Sequence, residues 1–268
     1  MPNEECASLR LTVLGCTGSI PVSRTGREIF GGSTSCYMVQ AGDDTLFLDA
    51  GSGLISAPVE FPHPPLILLS HMHLDHVIGL AMYRRLLMKG EKTLLCLPSS
   101  GNRVRLHMLN RLFSPPFWPL SLTEYAGDLE LVPGRFPMQF GPMRIECLKG
   151  RHPGGCRIFR VSSGEKSLVY VTDYEHTASG FAELAEFSAG ADLLLYDAQF
   201  SREEYVHRQG FGHSTAEKGI ELMTLCGAKR LLFIHHAPES SDRILSEREA
   251  QIGRPDVRYA REGEVILL

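Results

Sequence analysis

The segment Leu66-Ile67-Leu68-Leu69-Ser70-His71-Met72-His73-Leu74-Asp75-His76-Val77-Ile78-Gly79 constrains this chain more than any other. An apolar run short enough for a buried strand ends in a polar loop, and a helical pattern over 77–88 follows it. The loop holds three imidazoles and a carboxylate within six residues. His71 and His73 are two apart, so an extended backbone points both rings to one side. Asp75 and His76 come where the chain turns into the helix and can face a second point nearby. One short segment can therefore serve two adjacent metal ions, which a plain polar loop at the head of a helix has no need to do.

Other strand ends carry further donors. Met143 to Leu148 reads as a strand and runs into Lys149-Gly150-Arg151-His152-Pro153-Gly154-Gly155. Leu168 to Val171 ends at Thr172-Asp173, and Arg230 to Ile234 ends at His235-His236-Ala237-Pro238. Candidate ligands thus stand at four separated places: His71/His73/Asp75/His76, His152, Asp173 and His235. Imidazole with carboxylate suits Zn²⁺, and also Mn²⁺ or Fe²⁺ where oxygen donors contribute. Asp49, closing the hairpin that returns through Leu46-Phe47-Leu48, either accepts the second N–H of a ligand histidine or caps its turn. In Gly212-His213-Ser214-Thr215-Ala216-Glu217, Ser214 and Glu217 have capping-box spacing, which puts His213 just ahead of a helix N-terminus where anions are favoured. His63, His107 and His207 have no such context and read as exposed.

The bulk numbers narrow the setting. A chain of 268 residues with 43% hydrophobic content can bury a substantial core. Its net charge of −4 argues against broad binding to a nucleic-acid backbone. Seven cysteines with no C-x-x-C pair suit reduced thiols in a cytoplasm rather than a disulfide framework or a cysteine zinc knuckle. The acidic start, Met1-Pro2-Asn3-Glu4-Glu5-Cys6, lacks the apolar centre of a signal peptide, and no apolar run is long enough for a membrane span. The loops Cys16–Pro21 and Gly31–Cys36 have glycines without the spacing of a nucleotide cradle. Strands outnumber helices and alternate with them in two rough halves. Residues 1–268 are therefore expected to form one α/β domain, two β-sheets face to face with helices outside. In the irregular stretch 99–122, Val104, Met108 and Leu112 share one side of a helix, and Arg103, His107 and Arg111 share another.

His71-Met72-His73-Leu74-Asp75-His76 matches the H-x-H-x-D-H signature of the metallo-β-lactamase superfamily, and the remaining motifs follow in order from Leu11 to Ala237. The chain most resembles the phosphodiesterase members, the tRNA 3′-processing endonucleases and the cyclic phosphodiesterases. That resemblance implies a four-layer αββα sandwich. It assigns His71, His73 and His152 to one ion, Asp75, His76 and His235 to the other, and Asp173 to a bridge between them. The H-x-x-P pattern ending at Pro238 selects His235 over His236. It makes Asp75 catalytic as well as a ligand, His213 the group that works at the scissile phosphate, and Asp197 the acidic partner of His213. The segment 99–122 resembles a lid over the cleft, with Arg103 or Arg111 available to hold phosphate. The expected activity is hydrolysis of a small or cyclic phosphodiester by a hydroxide held between two divalent ions. RNA is the less favoured substrate, no membrane partner is expected, and a homo-oligomer is compatible. The alternatives are a tRNA 3′-endonuclease, a thioester or lactone hydrolase, and a metal-binding sensor without turnover.

Overall fold

The structure is a computed structural model that describes residues 8–98 and 102–268, with the side chains of 102–105 left outside the description. The N-terminal acidic segment and the side chains of Arg103 and Val104 lie outside the described residues.

Fourteen strands form two seven-stranded sheets among the described residues. The first is built from β1 (Arg10–Gly15), β2 (Cys36–Ala41), β3 (Asp44–Leu48), β4 (Leu66–Leu68), β5 (Lys92–Cys96) and β6 (Asp128–Val132). The second takes β7 (Met138–Phe140), β8 (Met143–Gly150), β9 (Cys156–Ser163), β10 (Lys166–Val171), β11 (Leu193–Asp197), β12 (Leu231–Ile234) and β13 (Val257–Tyr259). The last strand, β14 (Val265–Leu267), returns to pair with β1. Each sheet has an antiparallel half and a parallel half. β14, β1, β2 and β3 pair antiparallel and β3 to β6 parallel, while β7 to β10 pair antiparallel and β10 to β13 parallel.

Alternation along the strands divides the apolar residues into layers. Val13, Val39, Leu46, Leu68, Phe159, Val161, Leu168 and Leu195 are buried between the sheets. On the outer side of the second sheet, Val169, Val171, Leu194, Tyr196 and Phe233 pack under α3 (Ala178–Phe187), α5 (Ala216–Cys226) and α6 (Asp242–Ile252). On the outer side of the first, Phe47, Ile67, Leu69 and Leu95 pack under short turns, α1 (Arg84–Leu87) and α2 (Asn102–Leu112). The result is the four-layer αββα sandwich expected from the sequence.

Several local expectations are corrected. The pattern over 77–88 is not one helix but a 3₁₀ segment, Ile78–Met82, followed by α1. The Gly79 amide donates to the Ala50 carbonyl at 2.9 Å, and a Cβ at this position would run into the Gly51 and Ala50 carbonyl oxygens. Ser214 and Glu217 do not form a capping box: Thr215 is the N-cap of α5, because the Ser214 hydroxyl is engaged by Tyr196 and His176. Leu109 on α2 and Phe113 just after it are buried, while Met108 and Leu112 are 50% and 36% exposed. The stripe through Leu106, Leu109 and Phe113 carries the larger apolar area and faces Leu122 and Trp118. Strands β6, β7 and β13 and the helix α4 (Arg202–His207) were not foreseen.

Candidate metal centre

The parallel halves set the position of the site. Asp49 follows β3, the loop 70–76 follows β4, Asp173 follows β10, Asp197 ends β11 and His235 follows β12. These C-terminal strand ends meet in the crevice between the sheets, the usual ligand position in open α/β sheets. Three of these residues adopt left-handed backbone conformations, with φ of 61° at Asp49, 47° at Asp173 and 59° at His235. Such conformations are costly for residues with a Cβ, and here they turn each side chain from its strand end into the cleft.

The donor atoms fall into groups. His71, His73, His152 and Asp173 bring ligand atoms within 4.8 Å of one another, as do Asp75, His76 and His235. Asp173 faces both. Its Oδ2 is 3.6 Å from His71 Nε2 and 3.5 Å from His152 Nε2, while its Oδ1 is 3.2 Å from His76 Nε2 and 3.3 Å from His235 Nε2. A further grouping joins Asp173, Asp197, His213 and His235.

Partners behind the donors fix their tautomers. His76 Nδ1 donates to Asp49 Oδ2 at 2.7 Å, which resolves the two readings of Asp49 in favour of a histidine partner. Asp49 also accepts from the Ser70 amide at 2.6 Å, the Ser70 hydroxyl at 2.6 Å and the Tyr170 hydroxyl at 2.8 Å. With its own proton given to Asp49, Ser70 Oγ is left to accept from His71 Nδ1, 3.0 Å away. His152 Nδ1 donates to the Gly212 carbonyl at 2.9 Å, and His235 Nδ1 to Gln199 Oε1 at 3.0 Å. Gly212 has a φ of 93°, and a Cβ there would run into the His152 ring. Gly18 is required for the same reason beside the His235 ring. The Ser19 amide donates to Asp75 Oδ2 at 2.7 Å.

These tautomers leave Nε2 of His71, His76 and His235 as lone pairs facing carboxylate oxygens, and His152 Nε2 as one 3.0 Å from His73 Nδ1 and 3.5 Å from Asp173 Oδ2. The Nε2 atoms of His71 and His76 are buried and have no hydrogen-bond partner. A lone pair 3.2 Å from a carboxylate oxygen is repulsive unless a cation or proton lies between them. The titration behaviour reflects the same demand. Burial disfavours charge on His76, yet Asp173, Asp75 and Asp49 push its pKa well up. Burial is likewise outweighed at His235, which Asp173 and Asp75 raise to about 9. Burial and neighbouring imidazoles hold His71 and His152 below the ordinary histidine value, leaving them neutral donors. Burial would raise Asp75 and Asp173, but the surrounding histidines hold both carboxyls down. Divalent cations fit this set of imidazoles and carboxylates.

His213 and Asp197 stand beside the donors, with Nδ1 2.7 Å from Asp197 Oδ2 and 4.0 Å from Asp173 Oδ2. His236 is not part of the site. Its Nε2 donates to the Phe233 carbonyl at 3.2 Å, its ring packs on Phe30 and Tyr259, and burial pushes its pKa down to about 3. His176 is half-buried, its ring tilted against Tyr205 and its Nδ1 2.9 Å from Ser214 Oγ. His63 and His107 are exposed, as is His207.

A cavity of ≈ 420 Å³ opens beside His71 and His73, lined also by Met72, Pro98, Met108, Lys149, Pro153 and Arg157. Met108 brings α2 to the cleft wall, but Arg111 is exposed and does not line this cavity. The cations there are Lys149 and Arg157. Sequence reasoning missed Lys149 and Arg157, and also Gln199 and Glu175. The last accepts from the Gly210 amide at 2.6 Å and the Gly212 amide at 3.2 Å and so holds the loop leading into His213. No local pattern marks any of these four; their place follows from the crossing of distant strands.

Comparison with known proteins places this geometry in context. The model of the beta-lactamase superfamily domain matches residues 45–236. The probable metallo-hydrolase YhfI of Bacillus subtilis is 29% identical over 268 residues, covering 96% of this chain and 99% of that protein. The crystal structure of YhfI superposes with a TM-score of 0.75 at 23% identity, covering 98% of this chain and all of that one. A diphosphatase of the PhnP family superposes at 0.71 with 19% identity, 97% of each chain being covered. The short form of human tRNase Z superposes at 0.65 with 16% identity, covering 96% of this chain and 98% of that one. No helix among the described residues is long and apolar enough to cross a membrane.

Proposed function

The chain belongs to the beta-lactamase superfamily and is a metal-dependent hydrolase, and we propose that it acts on a small or cyclic phosphodiester with two divalent ions in the cleft. His71, His73 and His152 would hold one ion and Asp75, His76 and His235 the other, with Asp173 serving both. Zn²⁺ is the first choice of ion, with Mn²⁺ or Fe²⁺ compatible with the oxygen donors. Divalent ions in such a pair supply Lewis acidity, drawing charge from a phosphoryl oxygen and making water more acidic.

The observation that carries the choice of substrate is the His213–Asp197 pair. A carboxylate can only accept, so the His213 Nδ1 proton points to Asp197 and Nε2 is the atom free to exchange protons. Asp197 is fully buried and holds the ring in that orientation. A phosphodiester expels an alkoxide, which needs a proton, and His213 in its protonated form delivers one from Nε2. Before that step the imidazolium steadies the charge growing on the phosphoryl oxygens, with Asp197 balancing it. A thioester expels a stable thiolate and makes no such demand. Of the similar proteins, the PhnP-family diphosphatase and the human tRNase Z carry chemistry at phosphorus in their names.

The test is an activity screen of metal-reconstituted protein over bis-p-nitrophenyl phosphate, cyclic nucleotides, cyclic sugar phosphates, tRNA precursors and p-nitrophenyl acyl esters. Turnover of the phosphodiesters supports the reading. Turnover of acyl esters alone, or none at full metal loading, overturns it.

A further inference from the structure

The cavity beside the metal donors has a basic wall. Lys149, near the end of β8, and Arg157, on β9, are directly opposed partners in the antiparallel register. Both residues line the cavity that His71 and His73 also line. Like charges opposed across two strands are destabilising unless something lies between or near them to neutralise them. Among the described residues neither forms an ion pair: Arg157 Nε donates to the Pro98 carbonyl at 3.0 Å and Nη1 approaches Cys147 Sγ at 3.8 Å, and Lys149 is exposed. The contact to Pro98 fixes the guanidinium, so its direction is set before any ligand arrives. The rest of the lining includes the apolar residues Met72, Met108, Pro98 and Pro153. A scissile phosphodiester next to the donor atoms would leave much of the ≈ 420 Å³ unfilled.

We propose that Lys149 and Arg157 form a subsite for a second anionic group of the substrate, a phosphate monoester set apart from the bond that is cleaved. Two opposed cations match the two negative charges of a phosphate monoester better than the single charge of a carboxylate. The apolar lining residues take the group that joins the two phosphates. This deepens the phosphodiesterase reading and rests on it for the position of the cleaved bond.

The experiment pairs turnover with binding. Metal-loaded wild type and Lys149→Ala are compared on ApA and on pApA, which differ only by a terminal phosphate. Equilibrium binding of AMP and of adenosine 3′,5′-bisphosphate is measured calorimetrically on the same proteins. Wild type should favour pApA about tenfold in kcat/KM and bind the bisphosphate about tenfold more tightly than AMP. Lys149→Ala should lose both preferences through KM and Kd, the loss on pApA exceeding any loss on ApA. Arg157→Lys, which keeps the charge, should retain part of each. If neither dinucleotide nor any phosphodiester of the activity screen is cleaved but the bisphosphate preference is present and lost in Lys149→Ala, the phosphodiesterase reading falls and the subsite stands. Equal binding of the two mononucleotides by wild type, or an equal loss for both in the variant, overturns the subsite.

Discussion

His213 Nδ1 lies 2.7 Å from Asp197 Oδ2, a short bond between an 11% exposed imidazole and a fully buried carboxylate. The same carboxylate accepts from the Gln199 amide at 3.0 Å, so it is fixed by its own backbone before it fixes the histidine. His213→Ala should leave the metal content unchanged and lower phosphodiester turnover by about 10²-fold or more. Asp197→Asn should lose about 10-fold, because the ring persists but its tautomer is no longer enforced. Metal analysis beside steady-state kinetics checks both, and unchanged turnover in His213→Ala would remove that residue from the reaction.

His71→Ala should act on metal content itself. Its Nε2 is buried, without a hydrogen-bond partner, and 3.6 Å from Asp173 Oδ2. Losing that donor leaves a group that includes exposed His73 to hold an ion with fewer ligands. The metal-to-protein ratio after dialysis should fall below that of wild type, and an unaltered ratio would count against the ligand scheme.

Glu175→Gln should weaken catalysis without touching a donor. Its two oxygens accept from the Gly210 and Gly212 amides, and the Gly212 carbonyl in turn receives the His152 proton. An amide offers only one acceptor oxygen, so one of the glycine amides loses its partner. A fall in kcat of about 10-fold is expected, the order found for groups that orient ligands through another residue. Rescue by Glu175→Asp, even in part, would separate positioning from general destabilisation.

Removing the ions should lower the melting temperature. His71, His73, Asp75 and His76 come from the first sheet's strand ends, and His152, Asp173 and His235 from the second's. Ions held from both sides stabilise only the folded state, by about 2.7 kcal/mol for one ion at a hundredfold excess over its Kd. Scanning calorimetry before and after chelation, then after adding Zn²⁺ back, measures this. A transition that ignores chelation would argue against shared ligation.

Asp242 gives a prediction about pH. Its carboxylate accepts from the Ile29 amide at 3.0 Å and the Phe30 amide at 3.1 Å, tying the residues that lead into the second glycine loop to the start of α6. Burial would raise its pKa, but those amides outweigh burial and lower it. A depressed carboxyl stabilises the fold above its unfolded value of about 3.9 and loses that contribution as pH falls through the folded value. Asp242→Asn should therefore cost about 1–2 kcal/mol at pH 7, and the gap from wild type should narrow as pH falls below the unfolded value of about 3.9. Urea denaturation across pH provides the comparison; a gap independent of pH would rule out the charge as its source.

The centre was legible in the sequence because its main segment is short. His71 to His76 carries its geometry in its spacing, and the 3₁₀ turn Leu74–His76 bends Asp75 and His76 toward the second group of donors. The strand ends at Asp173 and His235 were visible for a different reason: an apolar run stops at a polar residue. What could not be read was anything set by tertiary crossing. Gln199 behind His235, Glu175 under the 210–212 loop and the Lys149–Arg157 pair all depend on which strands become neighbours. Ser214 misled because its hydroxyl has better partners in Tyr196 and His176 than the helix it precedes. The apolar side of α2 misled because a buried aromatic, Phe113, outranks the flexible Met108.

Asp49 has a further consequence. One fully buried carboxylate receives bonds from His76, from Ser70 by both amide and hydroxyl, and from Tyr170, and so joins β3, the metal loop and β10. Ser70 in turn sits against His71, whose donor atom belongs with the opposite cluster from that of His76. Damage at this single acceptor would be felt on both sides of the cleft at once. A chain altered there would behave as if both ions had been weakened together, although no atom of Asp49 belongs to either donor group.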